Sequence, residues 1–389
     1  MKKTGFLYQK VYEEIKADIK SGVSAPGSRL SSEKQLSAKY GISPITVKTA
    51  LKLLAAEGYI KRIPGRGTFV AEDVAELANG LPHPKKVSVT DMERHPVIGV
   101  VFEHVSSPYG LDMMYHMDRV AAEKGYKLCI RFSYTDQVKE TEEIDFLLAL
   151  GVCGLIIMPS HGEHYNTKIL KLLIDGFPVV LIDKSLDGIP VPAVYTDNEK
   201  CAGMLVDHLV SRGYANIGLV TSSCIGISSI EERERGFYER VSANGLKIYE
   251  ECPVELKVDS ICNTGSSIAE RNIKTISEYL KKYPTLDSLV CLESGFLYDI
   301  YEACQRLGRG IPEDIAVCSF DEDNNSPTGY FFTHVKQDEI SISEKAMELI
   351  DCLISGENGG KIKNYKIPGI FIEGNTVKQK LQTAGIDAR

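Results

Sequence analysis

The chain has no tryptophan among its 389 residues and no run of about 18 apolar residues that could cross a bilayer. The missing span excludes a helical membrane protein. The missing indole leaves stacking on any ligand to phenylalanine and tyrosine, with Phe102, Tyr109, Phe132 and Tyr134 the candidates. Paired cysteines are missing as well. Ten are scattered singly, with no CxxC, and most lie inside apolar runs, which points to reduced buried thiols rather than a disulfide framework. The first eight residues carry two lysines but no apolar stretch before a small-residue cleavage site, so no secretory signal is expected and the expected compartment is the cytoplasm. There is no Gly-x-Ser-x-Gly elbow and no phosphate-binding Gly-x-x-x-x-Gly-Lys loop, so catalysis is not expected. His161 and His164 are the nearest approach to a metal-ligand cluster; two histidines on a loop are too few, and neither a metal nor a cofactor is expected.

The composition is that of a folded globular protein, and the length exceeds one ordinary hydrophobic core, which implies two to three domains. The net charge of −8 conceals an asymmetry. Residues 1–70 carry 13 Lys and Arg against 5 Asp and Glu, or +8, so the remaining 319 residues carry −16. A basic head on an acidic body points to a polyanionic partner at the head alone.

Leu7, Val11, Ile15 and Ile19 recur at a spacing of four, which predicts a helix ended by Ser21-Gly22. A serine cap at Ser31-Ser32 opens a second helix that stops near Tyr40-Gly41. Ser43-Pro44 then opens a third, with Val47, Ala50, Leu51 and Leu54 as its apolar stripe. Two short helices joined by a three-residue turn make a helix-turn-helix. Thr46, Lys48, Thr49 and Lys52 are left for the outer face of the third helix, where hydroxyls and ammonium groups suit base edges and phosphates of a major groove. Two β-like runs, Tyr59–Arg62 and Thr68–Val70, flank Pro64-Gly65-Arg66-Gly67 and predict a hairpin wing with Arg66 at its tip, within reach of a minor groove or a phosphate.

With Pro26-Gly27-Ser-Arg-Leu30, Ser32-Glu-Lys-Gln-Leu36, Gly41-Ile-Ser43, Thr46-Val-Lys48, Glu57-Gly58 and Gly65-Arg-Gly-Thr-Phe-Val70 in order, residues 6–71 resemble the GntR (gluconate-repressor) family of winged helices. The resemblance implies that Lys34, Lys48 and Arg66 touch DNA, with Ser43, Thr46 and Thr49 beside them. The chain has Pro44 and Lys48 where that family usually has arginine.

From Ala71 to His95 the sequence turns polar and irregular, a tether that lets two heads reach half-sites one turn of DNA apart. Domains are therefore expected at 1–71 (winged helix), 72–95 (linker) and 96–389 (effector binding). In the third, apolar runs at 97–102, 127–132, 154–158 and 178–183 alternate with helical periods near 111–124, 138–150 and 166–176. A second series of runs, 217–220, 288–292 and 315–320, alternates with helices near 198–212, 229–244, 267–282 and 295–307. The expected fold class is α/β: two doubly wound lobes behind the winged helix, with a ligand cleft beyond the carboxyl ends of the strands. Those ends are polar: Glu103-His104, Ser133-Tyr134, Pro159-Ser160-His161, Asp183-Lys184, Glu293-Ser294 and Asp321-Glu322. Such groups suit a polyhydroxylated small molecule.

Val97-Ile-Gly-Val100, Gly151–Ile157, Pro178–Asp183, Thr196-Asp-Asn198, Asn216–Val220, Ser229-x-x-x-Arg233-x-x-Gly236-Phe237, Ile311–Val317, Phe320-Asp321 and Thr333–Asp338 form an ordered set that resembles the effector domain of the lactose and galactose repressor family. By that resemblance Arg233 and Asp321 hold ligand hydroxyls, with Asp183, Ser229 and Gln337 nearby. His104, Tyr109, Ser133, Ser160 and Glu293 complete the candidate effector site. The two halves together resemble the architecture of the arabinose-repressor family, which implies a homodimer that binds double-stranded operator DNA under control of a sugar such as a pentose. A non-sugar effector stays open; a solute-binding protein fits the basic head and the missing signal poorly.

Overall fold

The computed structural model describes residues 7–63, 66–72, 96–160, 165–186, 188–222, 227–249, 254–256, 266–322, 329–357 and 363–380. His161, His164 and most of the expected linker lie outside the described residues.

The head is three helices and a hairpin. Helix α1 (Leu7–Lys20) buries Val11, Ile15 and Ile19 as its spacing predicts, and Tyr8 and Tyr12 with them. Helix α2 (Glu33–Tyr40) is opened by a reciprocal cap. The Gln35 amide N–H bonds the Ser32 hydroxyl (3.3 Å), and the Gln35 side chain accepts from the Ser32 N–H (2.9 Å). It ends on Gly41 at φ +65°, a left-handed turn that glycine adopts without Cβ strain. Helix α3 (Pro44–Ala56) starts on the Ser43 cap and buries Val47, Ala50, Leu51 and Leu54 against α1 and α2. Strands β1 (Ile60–Ile63) and β2 (Gly67–Val70) pair antiparallel as the wing.

The body has two six-stranded sheets. The N-lobe contains β3 (Val97–Phe102), α4 (Leu111–Glu123), β4 (Lys127–Phe132), α5 (Gln137–Leu150), β5 (Gly154–Ile157), α6 (Thr167–Ile174), β6 (Val179–Ile182) and β7 (Ala193–Thr196). The C-lobe contains α7 (Asn198–Ser211), β8 (Ile217–Ser222), α8 (Ser228–Ala243), β9 (Val254–Leu256), α9 (Ser266–Lys282), β10 (Ser288–Cys291), α10 (Leu297–Leu307), β11 (Ala316–Phe320) and β12 (Thr333–Lys336). The chain then returns: α11 (Glu339–Ser355) and β13 (Asn364–Ile367) join the N-lobe, and β14 (Ile370–Ile372) closes the C-lobe sheet antiparallel to β12. The two lobes expected from the sequence are present. Three crossings join them, because β13 pairs with β7 and β14 with β12.

Both sheets are covered on both faces. In the N-lobe, Met113 and Met117 of α4 meet Ile342, Met347 and Ile350 of α11 on one side, and Ile144, Leu147, Ile169 and Leu172 of α5 and α6 fill the other. In the C-lobe, α7 and α8 cover one face and α9 and α10 the second. This double cover is why the strands read as continuous apolar runs rather than alternating ones. The strand orders, β13-β7-β6-β5-β3-β4 and β14-β12-β11-β10-β8-β9, make β6 of the N-lobe and β11 of the C-lobe equivalent.

Candidate functional sites: a basic head and an interlobe cleft

On the head, the residues expected to meet DNA lie at the open ends of its elements. Lys34 is exposed on the first turn of α2, Ser43 is exposed before α3, and Arg66 is exposed at the wing. Thr46, Lys48 and Thr49 are half-buried along the first two turns of α3. Ser43 accepts from the Thr46 N–H at 3.2 Å and its hydroxyl meets the Thr46 hydroxyl at 2.7 Å, while the Thr49 hydroxyl donates to the Ile45 carbonyl at 3.0 Å. Ser43 and Thr49 thus have local structural bonds of their own. Arg29 braces the wing, lying where a Cβ on Gly67 would stand 2.9 Å from its guanidinium.

In the body, Asp183 follows β6 and Asp321 follows β11. Both are left-handed, at φ +68° and +55°, and their N–H groups bond the equivalent carbonyls of Val194 and Val335. Aspartate is one of the few residue types that tolerates this backbone, and its repeat at matching strand ends gives the two carboxylates equivalent positions in the two lobes.

The N-lobe wall is charged and closed. Glu103 ends β3 and is 1 % exposed; the buried Lys184 ammonium pairs with it, donates to the Pro159 carbonyl at 3.3 Å and stands 3.8 Å from Asp183. His104, by contrast, is half-exposed, its ring 4.0 Å from Glu103. Ser133 and Ser160 are buried with hydroxyls 2.7 Å apart. Phe102 stacks on Phe132, and Phe132 on Tyr134, at 6.1 Å each. Tyr109 is buried, and that burial, with Asp183 beside it, pushes its hydroxyl well above the usual tyrosine range.

The C-lobe wall centres on Arg233. Its guanidinium donates to the Asn198 side chain (2.9 Å) and the Leu292 carbonyl (2.7 Å), and lies 4.1 Å over the Phe320 ring. Gly236 makes this seat: a Cβ there would come within 2.2 Å of the Glu199 carbonyl oxygen, so only glycine lets α8 lie this close on α7. Asp321 accepts from the Gln337 N–H (3.1 Å) and side-chain amide (2.7 Å). Burial pushes its carboxyl up, and the Arg233 charge pulls it back only in part. Gln337 also accepts from Thr196 at 2.8 Å, joining the lobes at a crossing. Ser229 is buried on the first turn of α8, and Glu293 is half-buried with its carboxylate on the Ser222 N–H at 2.8 Å. The lobes also touch where Ser228 donates to the Ser185 carbonyl at 3.4 Å.

Two features escaped the sequence reading. The Glu103–Lys184 pair joins strand ends 81 residues apart, whereas the expected residues there were their neighbours His104 and Asp183. Thr221 and Ser222, at the end of β8, have buried hydroxyls without a hydrogen-bond partner among the described residues, which is unusual inside a protein. Their signal, a polar pair closing an apolar strand, is the same as elsewhere in the cleft.

Residues 95–372 match the periplasmic binding proteins and sugar binding domain of the LacI family, and residues 7–70 match the bacterial regulatory proteins of the gntR family. The chain belongs to the LacI family, with a gntR-type head. An arabinose metabolism transcriptional repressor of Geobacillus stearothermophilus is 24 % identical over 96 % of this chain and 98 % of its own length. The regulator KdgR of Bacillus subtilis is 26 % identical over 76 % of this chain and 84 % of its own. The fold of transcription regulator CcpA of Lactococcus lactis superposes with a TM-score of 0.59 at 21 % identity, over 73 % of this chain and all of that one. This LacI-type chain is thus a transcriptional repressor with a DNA-binding head and a sugar-binding-type effector domain, and the relatives it matches are named as transcriptional regulators and repressors. No described helix is long and apolar enough to cross a membrane.

Proposed function

We propose that the effector is an uncharged monosaccharide, a pentose such as arabinose, held between the lobes of a cytoplasmic homodimer whose heads bind the two halves of an operator. The observation that carries this reading is the convergence of buried, directional polar groups on one cleft. Glu103, Lys184, Ser133, Ser160 and Asp183 come from the N-lobe, and Arg233, Asp321, Ser229 and the Thr221 and Ser222 hydroxyls, without a hydrogen-bond partner among the described residues, from the C-lobe. Alternating donors and acceptors on opposite walls match the vicinal hydroxyls of a sugar, and the partly exposed Phe132 and Tyr134 supply apolar faces. Carboxylates outnumber cations here, which favours a neutral ligand over a sugar acid or phosphate. The full-length arabinose-metabolism relative supports a pentose. His104, Tyr109, Glu293 and Gln337 stand at the rim and hinge of this site, and Lys34, Ser43, Thr46, Lys48, Thr49 and Arg66 form the DNA face. The division into residues 1–71, 72–95 and 96–389 follows from these roles.

A thermal-shift titration of the full chain against L-arabinose, D-xylose, D-ribose, D-glucose and D-gluconate tests the reading, because a ligand that binds only the folded state raises the melting temperature by mass action. A neutral sugar is expected to stabilise, a pentose most. Stabilisation by D-gluconate alone, or by none, contradicts it.

A further inference from the structure

The head does not hang free of the body. Leu170 of α6, on the outer face of the N-lobe, is 2 % exposed and belongs to the same apolar cluster as Leu53, Leu54 and Tyr59 of the head. Tyr165 and Ile189 touch both this cluster and the N-lobe core. Leu53 falls outside the α3 stripe that the sequence predicts, yet it is 1 % exposed on a helix that α6 packs against. A polar clasp closes the seam. Glu57, the C-terminal cap of α3, accepts from Lys16 (2.8 Å) and Tyr12 (2.5 Å) of the head and from Lys171 of the body (2.9 Å). Burial alone would raise the Glu57 carboxyl, but these three donors hold it below its usual range, so it stays charged in the seam.

A second chain of bonds leads from α6 to the cleft. Glu140 is fully buried; it accepts from the Ser160 N–H (2.6 Å) through one oxygen and from the Asn166 side chain (2.6 Å) through the other. Asn166 is the N-cap of α6, accepting from the Lys168 N–H at 2.8 Å. One carboxylate therefore ties the strand end that carries Ser160 to the helix that carries the head.

We propose that the α3–α6 seam is a signalling interface, in which Glu140 and Asn166 transmit the position of the Ser160 strand end through Leu170 and Lys171 to Glu57 and thereby aim the DNA-reading helix. The role as a signal rests on the effector-controlled reading above; the docking itself does not. The seam grips the C-terminal end of α3, about 20 Å along the helix from Ser43. The DNA face is thus left open, so docking steers the head rather than masking it. Glu140 and Lys171 are positioning residues: neither has to touch effector or DNA.

Hydrogen exchange of the full chain, without DNA or sugar, tests this. In the parent, residues 12–16, 53–57 and 167–174 are protected. Lys171→Glu, a partly exposed position that places a like charge against Glu57, is expected to raise exchange at 12–16 and 53–57 while both lobes keep their protection. Glu140→Gln keeps the side-chain volume but loses one acceptor, and is expected to raise exchange at 165–171 and also in the head. Unchanged head exchange in Lys171→Glu overturns the docking. A Glu140→Gln effect that stops at α6 overturns the link to the cleft. Global loss of protection in Glu140→Gln would be answered by Asn166→Ser, which keeps the cap but drops the donor to Glu140 and carries the same expectation. Failure of every sugar to bind overturns the effector reading and leaves these outcomes in place.

Discussion

Head and body both rely on charge, and they use it in opposite ways. On the head, Lys34 and Arg66 are exposed and Lys48 is half-exposed, on a segment of net charge +8. Such charges act over a Debye length and lose strength with salt. In the cleft, Lys184 and Arg233 are buried, each held by named partners. Their effect is confined to contact distance and barely screened, and each would be costly if unpaired. One chain thus carries exposed, salt-screened charge on its head and buried, closely paired charge between its lobes.

The largest expected effect lies in the cleft. Lys184→Met removes the ammonium that pairs with the buried Glu103 carboxylate, which is expected to cost about 3 kcal/mol of stability in urea denaturation. Adding Glu103→Gln should restore most of it; a double variant as unstable as the single would break the pairing argument. Arg233→Ala removes the donor to the Leu292 carbonyl and the charge opposite Asp321. Sugar affinity by calorimetry should fall roughly a hundredfold, the scale of charge-assisted hydrogen bonds, with operator affinity unchanged. Equal sugar affinity in variant and parent would remove Arg233 from the site.

On the head, Lys48→Ala should weaken operator binding evenly across sequences and lower the slope of log affinity against log salt by about one. An unchanged slope rejects the contact, and with it the contrast between screened and unscreened charge. A pH-dependent effect concerns Glu339 at the start of α11, whose carboxylate accepts from the Gly110 and Met113 N–H groups and so bridges two helix starts. Burial raises its pKa to about 7 from an unfolded value of 4.5. A raised folded-state value means the native chain binds the extra proton, so this contribution is full below 4.5 and is lost as pH rises through 7. Glu339→Gln should flatten the stability profile over that window, and an identical profile would contradict the assignment.

How far the fold was legible follows from burial. Strands β3, β5, β6, β8, β10 and β11 are apolar on both faces and stood out as continuous runs. Strands β13 and β14 are short and only half-buried, so they carried no such signal. Helix α11 was missed because its inner face holds buried Glu339 and Ser343 among Ile342, Ala346 and Met347, which interrupts the apolar stripe. Among the residues proposed for the effector site, Asp183, Arg233 and Asp321 lie in local motifs of the sequence. Glu103 and Lys184 were legible as polar strand ends but not as a pair, because their pairing is a property of the sheet and not of spacing. Glu57 is marked in the sequence only by the Glu57-Gly58 motif and Lys171 carries no signal there, because their pairing exists only where the head packs against α6.

The most direct test of the account is the affinity of the full chain for an operator fragment selected from random duplexes, measured by fluorescence anisotropy with and without saturating L-arabinose. The sugar is expected to change this affinity in the parent and to leave it unchanged in Arg233→Ala. Equal operator affinity with and without a sugar that demonstrably binds the cleft would contradict it.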